Sequence, residues 1–173
     1  MVTSLVDPGV ADEPALVDAE LCSIATGLAT ALRSDAADLP TPVRRQWRRL
    51  ISTDAFDAWV IHWPVGGSVD PHDHGGSTGA VAVVQGVLTE VRPIGERLGA
   101  EQLIPGDAHL VPAGTVHDIV NRGSTAAVSV HVYSPPLSTM VFYGPDGTTL
   151  RAEAVELERP VWPEVIAGMA ATA

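Results

Sequence analysis

The chain has 173 residues, a length that fits one domain around a single core. Its 10 Lys and Arg against 21 Asp and Glu give a formal charge of −11, so it lacks the cations that a nucleic-acid or anionic-membrane surface needs. One cysteine, Cys22, cannot form an internal disulfide, the opening residues lack a signal-peptide pattern, and no apolar run reaches membrane-span length, so a soluble, cytoplasmic monomer is expected.

Residues 1–13, punctuated by Pro8 and Gly9, read as a loose arm. From Pro14 the stretch "PALVDAELCSIATGLATALR" sets Leu21, Ile24, Leu28 and Leu32 at three- and four-residue steps, the period of an amphipathic helix. "TPVRRQW" predicts a second, short helical piece. After residue 46 the period shortens. "FDAWVIHW", "TGAVAVVQ", "VLTEVRPI", "AHLVPA", "VHDIVN", "AAVSVHVY", "TMVFYG" and "TTLRAEAVEL" are short β-rich runs. Turn chemistry such as "PVGG", "NRGS" and "GPDG" separates them, as in an antiparallel sandwich or barrel. The expected division is an arm with helices over 1–45, a β-barrel over 46–157 and a tail over 158–173.

The chemistry concentrates in "VDPHDHGGSTGAVAVVQG". Side chains two apart on a strand share a face, so His72 and His74 project together and Asp73 points away. Two imidazoles fixed in this way form half a site for a divalent first-row metal. His117, in "VPAGTVHDIVN", is the best candidate for a third ligand. Taken alone, an H-x-H pair is also what a surface strand shows, and a lone histidine after a turn is often capped or solvated. The surrounding glycines and prolines carry the case further.

Gly66, five residues, His72, one residue, His74 and then Gly86 resemble the first motif of the cupin superfamily. Gly106, five residues, Pro112, one residue, Gly114, two residues, His117, three residues and Asn121 resemble the second. The resemblance implies a mainly β fold, a cupin jelly-roll (double-stranded β-helix) barrel, with an N-terminal helical layer. Cupins commonly place a glutamate between His74 and Gly86 as a fourth ligand; here Gly79 falls at that position and the stretch holds no carboxylate. A set of three neutral imidazoles resembles the thiol dioxygenases, and within them the cysteine dioxygenase family.

"SVHVYSPP", residues 129–136, is similar to that family's Ser-x-His-x-Tyr-Ser-Pro-Pro run. The resemblance implies a relay in which Ser129 and His131 orient Tyr133 toward substrate and oxygen, whereas the strand alone would allow ordinary barrel-lining residues. It also implies an arginine before the first motif that holds the substrate carboxylate; "QWRRLIS" offers Arg48 or Arg49, with Gln46 nearby. Some members carry a cysteine, crosslinked to the tyrosine, where this chain has Gly79; no such crosslink is expected here. His62, His109 and the tryptophans 47, 59, 63 and 162 read as structural.

The resemblance therefore implies an iron(II)-dependent enzyme, Fe(2+) on His72, His74 and His117, that oxidises L-cysteine with O2 to cysteine sulfinate. The alternatives are the same chemistry on another small thiol (3-mercaptopropionate or cysteamine) and a non-catalytic metal- or metabolite-binding cupin. A zinc or nickel cupin isomerase is disfavoured by the missing glutamate and by the "SVHVYSPP" run.

Overall fold

The computed structural model describes residues 15–94, 97–144 and 147–155. The arm expected over 1–13, the tail expected over 158–173 and Trp162 lie outside them. Two helices, α1 (Asp18–Ala31) and α2 (Arg33–Ala36), precede eleven strands among these residues. The strands are β1 (Gln46–Ser52), β2 (Asp57–Trp63), β3 (Ser68–Asp73), β4 (Thr78–Gln85), β5 (Leu88–Ile94), β6 (Arg97–Leu103), β7 (Ala108–Val111), β8 (His117–Val120), β9 (Ala127–Ser134), β10 (Thr139–Tyr143) and β11 (Thr149–Ala154). They form two antiparallel sheets with the orders β1-β2-β9-β4-β7 and β11-β10-β3-β8-β5-β6.

Helix α1 starts where Glu20 Oε2 accepts the Val17 amide at 3.0 Å, with Asp18 and Glu20 near the positive end of the helix dipole. Its fully buried stripe is Leu21, Ala25 and Ala29, whereas Ile24, Leu28 and Leu32 flank it half-buried. Small alanines let the helix lie close on β4 and β9. Strand alternation then divides those two strands between two cores. Ala80, Ala82, Val84, Val128, Val130 and Val132 meet the helices. Val81, Val83 and Ala127 face the opposite way, into the barrel with Trp63, Leu88, Leu103, Val111, Ile119 and Phe142. Burial on both faces explains why "TGAVAVVQ" is continuously apolar instead of alternating.

"TPVRRQW" is not helical; it leads into β1, whose residues from Gln46 pair with β2, and the second helix is instead Arg33–Ala36. Pro42 restricts Thr41 toward extended geometry, and pairing with β2 then fixes the extended chain. β6 has no apolar pattern because it is a sheet edge paired on one side by β5, exposed over most of its length. The motif glycines do turn work. Gly114 takes φ +71° ahead of His117, and at Gly86, φ +77°, a Cβ would sit 2.8 Å from the backbone of Ala126 and Ala127. Asn121 ties the same end together, donating from Nδ2 to the carbonyls of Trp63, Pro64 and Thr125 and accepting the Gly123 amide on Oδ1.

Candidate metal centre

His72 and His117 form a cross-strand pair between β3 and β8, and His74 follows the end of β3. Their rings lie 4.7–5.0 Å apart, centroid to centroid, all three buried. One nitrogen from each falls within 4.8 Å of the others, an arrangement that can hold one metal ion. Asp73 points away, as alternation requires, and accepts hydrogen bonds from the Gly75 amide and the Tyr143 hydroxyl. Asp118 likewise leaves the site, with β8 alternating between buried and half-buried residues.

The proton arrangement fits a cation. His72 Nδ1–H donates to the Asp70 carbonyl at 2.9 Å, and His117 Nδ1–H donates to Glu90 Oε1 at 2.7 Å. Each bond leaves that ring's Nε2 with a lone pair turned to the centre. His74 Nε2 lies 3.4 Å from His117 Nε2, and its buried Nδ1 has no hydrogen-bond partner among the described residues. Burial, followed by the proximity of His117, lowers the pKa of His72 to about 3 and that of His74 well below the ordinary histidine value. Both imidazoles are thus kept neutral, the form that binds metal.

Facing these ligands across the barrel, Ser129, His131 and Tyr133 alternate along β9 and project inward together. Trp63 Nε1–H donates to Ser129 Oγ at 2.9 Å, and Ser129 Oγ lies 2.9 Å from His131 Nε2. His131 Nδ1 lies 3.2 Å from the Tyr133 hydroxyl, and the Tyr133 ring packs edge-on to His74 with centroids 4.7 Å apart. Burial lowers the His131 pKa to about 3 and raises that of Tyr133, so a neutral imidazole meets a protonated phenol.

Gly79 pairs with Tyr133 across β4 and β9. A Cβ there would meet Tyr133 Cε1 at 3.0 Å and His74 Nδ1 at 3.5 Å. The tyrosine ring therefore occupies the ground where a fourth, carboxylate ligand would have to stand.

A small cleft of about 60 Å³ reaches this centre, lined among others by Arg45, Trp47, Trp63, His72, His131 and Tyr133. Neither Arg48 nor Arg49 lines it. Arg49 stacks over Trp59 at 5.6 Å, and its charge opposes the rise that burial imposes on the Asp57 pKa. Arg48 pairs with Val60, which belongs to the helix-facing core, so it lies on the opposite side of β1 from Arg49. Arg45 immediately precedes β1. Its guanidinium lies 5.4 Å from the rings of both Trp47 and Trp63 and has no ion-pair partner among the described residues. Burial lowers its pKa, against the opposing influence of Tyr133 and Asp70. Trp47 and Met140 also line a larger neighbouring cavity of about 490 Å³, together with Glu153, Ala154 and Val155.

Sequence reasoning missed Arg45, Glu90 and the role of Trp63. Glu90 carried a signal: it is an acid at the same strand parity as buried Leu88. Trp63 and Arg45 carried none, since only the fold brings them to β9 and the histidines. His109 behaves as expected of a structural residue, half-buried and 3.6 Å from Glu101. His62 is buried.

Two antiparallel sheets enclosing three buried histidines define a cupin with a metal-binding centre. Solved structures share this fold. One is an uncharacterized protein with a double-stranded β-helix domain from Klebsiella pneumoniae (TM-score 0.50, 22% identity), covering 58% of this chain and 85% of that one. Another is a cupin superfamily protein from Desulfitobacterium hafniense (TM-score 0.50, 18% identity), covering 60% of this chain and 88% of that one. Residues 28–145, more than half of the chain, match the family cysteine dioxygenase type I, and the chain belongs to that family. No helix among the described residues is long and apolar enough to cross a membrane.

Proposed function

We propose that this protein is an iron(II)-dependent thiol dioxygenase acting on L-cysteine: RSH + O2 gives RSO2H, with both oxygen atoms on sulfur and no external reductant. The observation that carries this reading is a carboxylate-free set, His72, His74 and His117, reached through His72 by a small cleft that an unpaired guanidinium, Arg45, and a hydroxyl, Tyr133, also line.

Three neutral ligands leave a bound dication its full charge, which favours an anionic sulfur donor. Iron(II) bound there would supply open positions for thiolate and dioxygen, together with the redox chemistry that joins them. The protein's own residues do the rest. Arg45, rather than Arg48 or Arg49, holds the substrate carboxylate through its planar fork of donors, clamped between two tryptophan faces. This fixes the direction of the sulfur and converts binding into orientation. Tyr133, kept protonated by burial and steadied by His131, donates its hydroxyl proton in a hydrogen bond on the substrate side. The small cleft leaves little room for solvent near the sulfur.

The test is protein reconstituted with iron(II) under anaerobic conditions, then given L-cysteine and oxygen. Oxygen uptake matched one-to-one by cysteine sulfinate supports the reading; sulfinate no faster than with His72→Ala sinks it. Side-by-side turnover of 3-mercaptopropionate and cysteamine tests the choice of thiol, and a preference for cysteamine removes the role given to Arg45.

A further inference from the structure

Glu90 is buried on β5, two residues from a half-exposed arginine, with nothing in the relay or the substrate cleft to account for it. Its Oε1 accepts the Nδ1–H of His117 at 2.7 Å, and both side chains are closed to solvent. The three ligand rings are held differently: His72 by a backbone carbonyl, His117 by a carboxylate, and His74 by no partner at Nδ1 among the described residues. The ligand position where a carboxylate would neutralise a dication is closed by the Tyr133 ring over Gly79.

We propose that Glu90 is the positioning residue of the metal centre. Placed behind His117 instead of on the ion, it supplies the negative charge that the ligand set lacks, and it fixes the Nε2 lone pair toward the metal. This rests on reading the three histidines as metal ligands. A carboxylate accepting Nδ1–H makes the far nitrogen more electron-rich and a better donor, and in a dry interior its charge offsets the cost of burying a cation. Because the carboxylate does not occupy a coordination position, the openings needed by thiolate and dioxygen stay free. Arg92 Nη1, 3.9 Å from the other Glu90 oxygen, and Glu101, 3.6 Å from Arg92, extend the charge chain outward to solvent.

The experiment is anaerobic titration of metal-free protein with cobalt(II), followed by the visible cobalt spectrum, with Glu90→Gln, Glu90→Ala, Glu101→Gln and His72→Ala beside the natural sequence. Gln keeps an acceptor for Nδ1–H and loses the charge; Ala loses both. The expected result is a loss of cobalt affinity of about 10- to 100-fold for Glu90→Gln, a larger loss for Glu90→Ala and none for Glu101→Gln, with the metal-free melting temperature of Glu90→Gln little changed. Equal affinity for Glu90→Gln and the natural sequence overturns the proposal. No stoichiometric cobalt binding by the natural sequence, or no loss in His72→Ala, overturns the metal reading itself. Should the variants fold poorly, nitrogen-15 spectra of the zinc-loaded natural protein decide. A downfield, slowly exchanging Nδ1–H on His117 with Nε2 metallated supports the assignment; Nδ1 ligation refutes it.

Discussion

Trp63 donates its indole N–H to Ser129 Oγ, which anchors the buried end of the relay. An indole nitrogen can only donate, so Ser129 Oγ accepts, and its own proton is free for His131 Nε2. His131 is neutral, and with Ser129 donating to Nε2 its one proton would sit on Nδ1, facing the Tyr133 oxygen. In that arrangement the phenol proton would turn toward the cleft. Trp63→Phe keeps the ring and removes the donor. It is expected to cost about 1 kcal/mol of stability and to lower kcat with little change in KM, read by denaturant titration and steady-state oxygen uptake.

Arg45→Leu should raise KM for carboxylated thiols by about 10- to 100-fold, the value of a lost charge-assisted hydrogen-bond pair, and leave cysteamine turnover unchanged. Arg48→Leu, on the other side of β1, should leave both unchanged. A loss with Arg48→Leu confined to carboxylated thiols would return the anchor to one of the two arginines that "QWRRLIS" offers.

Substitution at Gly79 tests how firmly the tyrosine closes the fourth ligand position. Gly79→Ala places a methyl 3.0 Å from a buried ring, so overpacking of about 1–3 kcal/mol is expected, with displacement of Tyr133 and lower turnover. Gly79→Glu should behave worse, not better, in metal binding per folded molecule. Thermal melts and cobalt titration read both effects.

The metal-free protein should lose stability as pH falls below ~6.5, the ordinary histidine value. His72 and His131 have folded pKa values of about 3, so between these limits the unfolded chain binds protons that the folded chain does not. Stability conferred by the neutral rings is complete above the unfolded value and is lost on acidification toward the folded one, by up to ~1.4 kcal/mol per pH unit for each ring. Urea midpoints at several pH values should show the slope, and His131→Gln should make it shallower.

Much of this was legible from the chain because the determinants are local. "TGAVAVVQ" matches β4 residue for residue, and His72, His74 and His117 converge as strand parity and glycine turns required. What was not legible depends on partners far apart in sequence. β6 sends only Leu103 into the barrel, too little to leave a pattern, and "TPVRRQW" leads into strand only because β2 is there to pair with it. The irregularity in pairing between Arg49 and Ile51 breaks simple counting along β1; neither Arg48 nor Arg49 lines the cleft, and the carboxylate anchor is proposed at Arg45 instead.

Strand β9 presents valines to the helices and the relay to the metal from alternate positions, with pairing on both edges. A shift of one residue would exchange the two sets at once, which leaves that strand almost no freedom to vary without unfolding the domain. β1, bonded on one side only, bears no such double duty. On the proposed reading, divergence toward a different thiol would accumulate along that border, around Arg45 and Trp47, while the Ser129, His131 and Tyr133 face of β9 stays fixed.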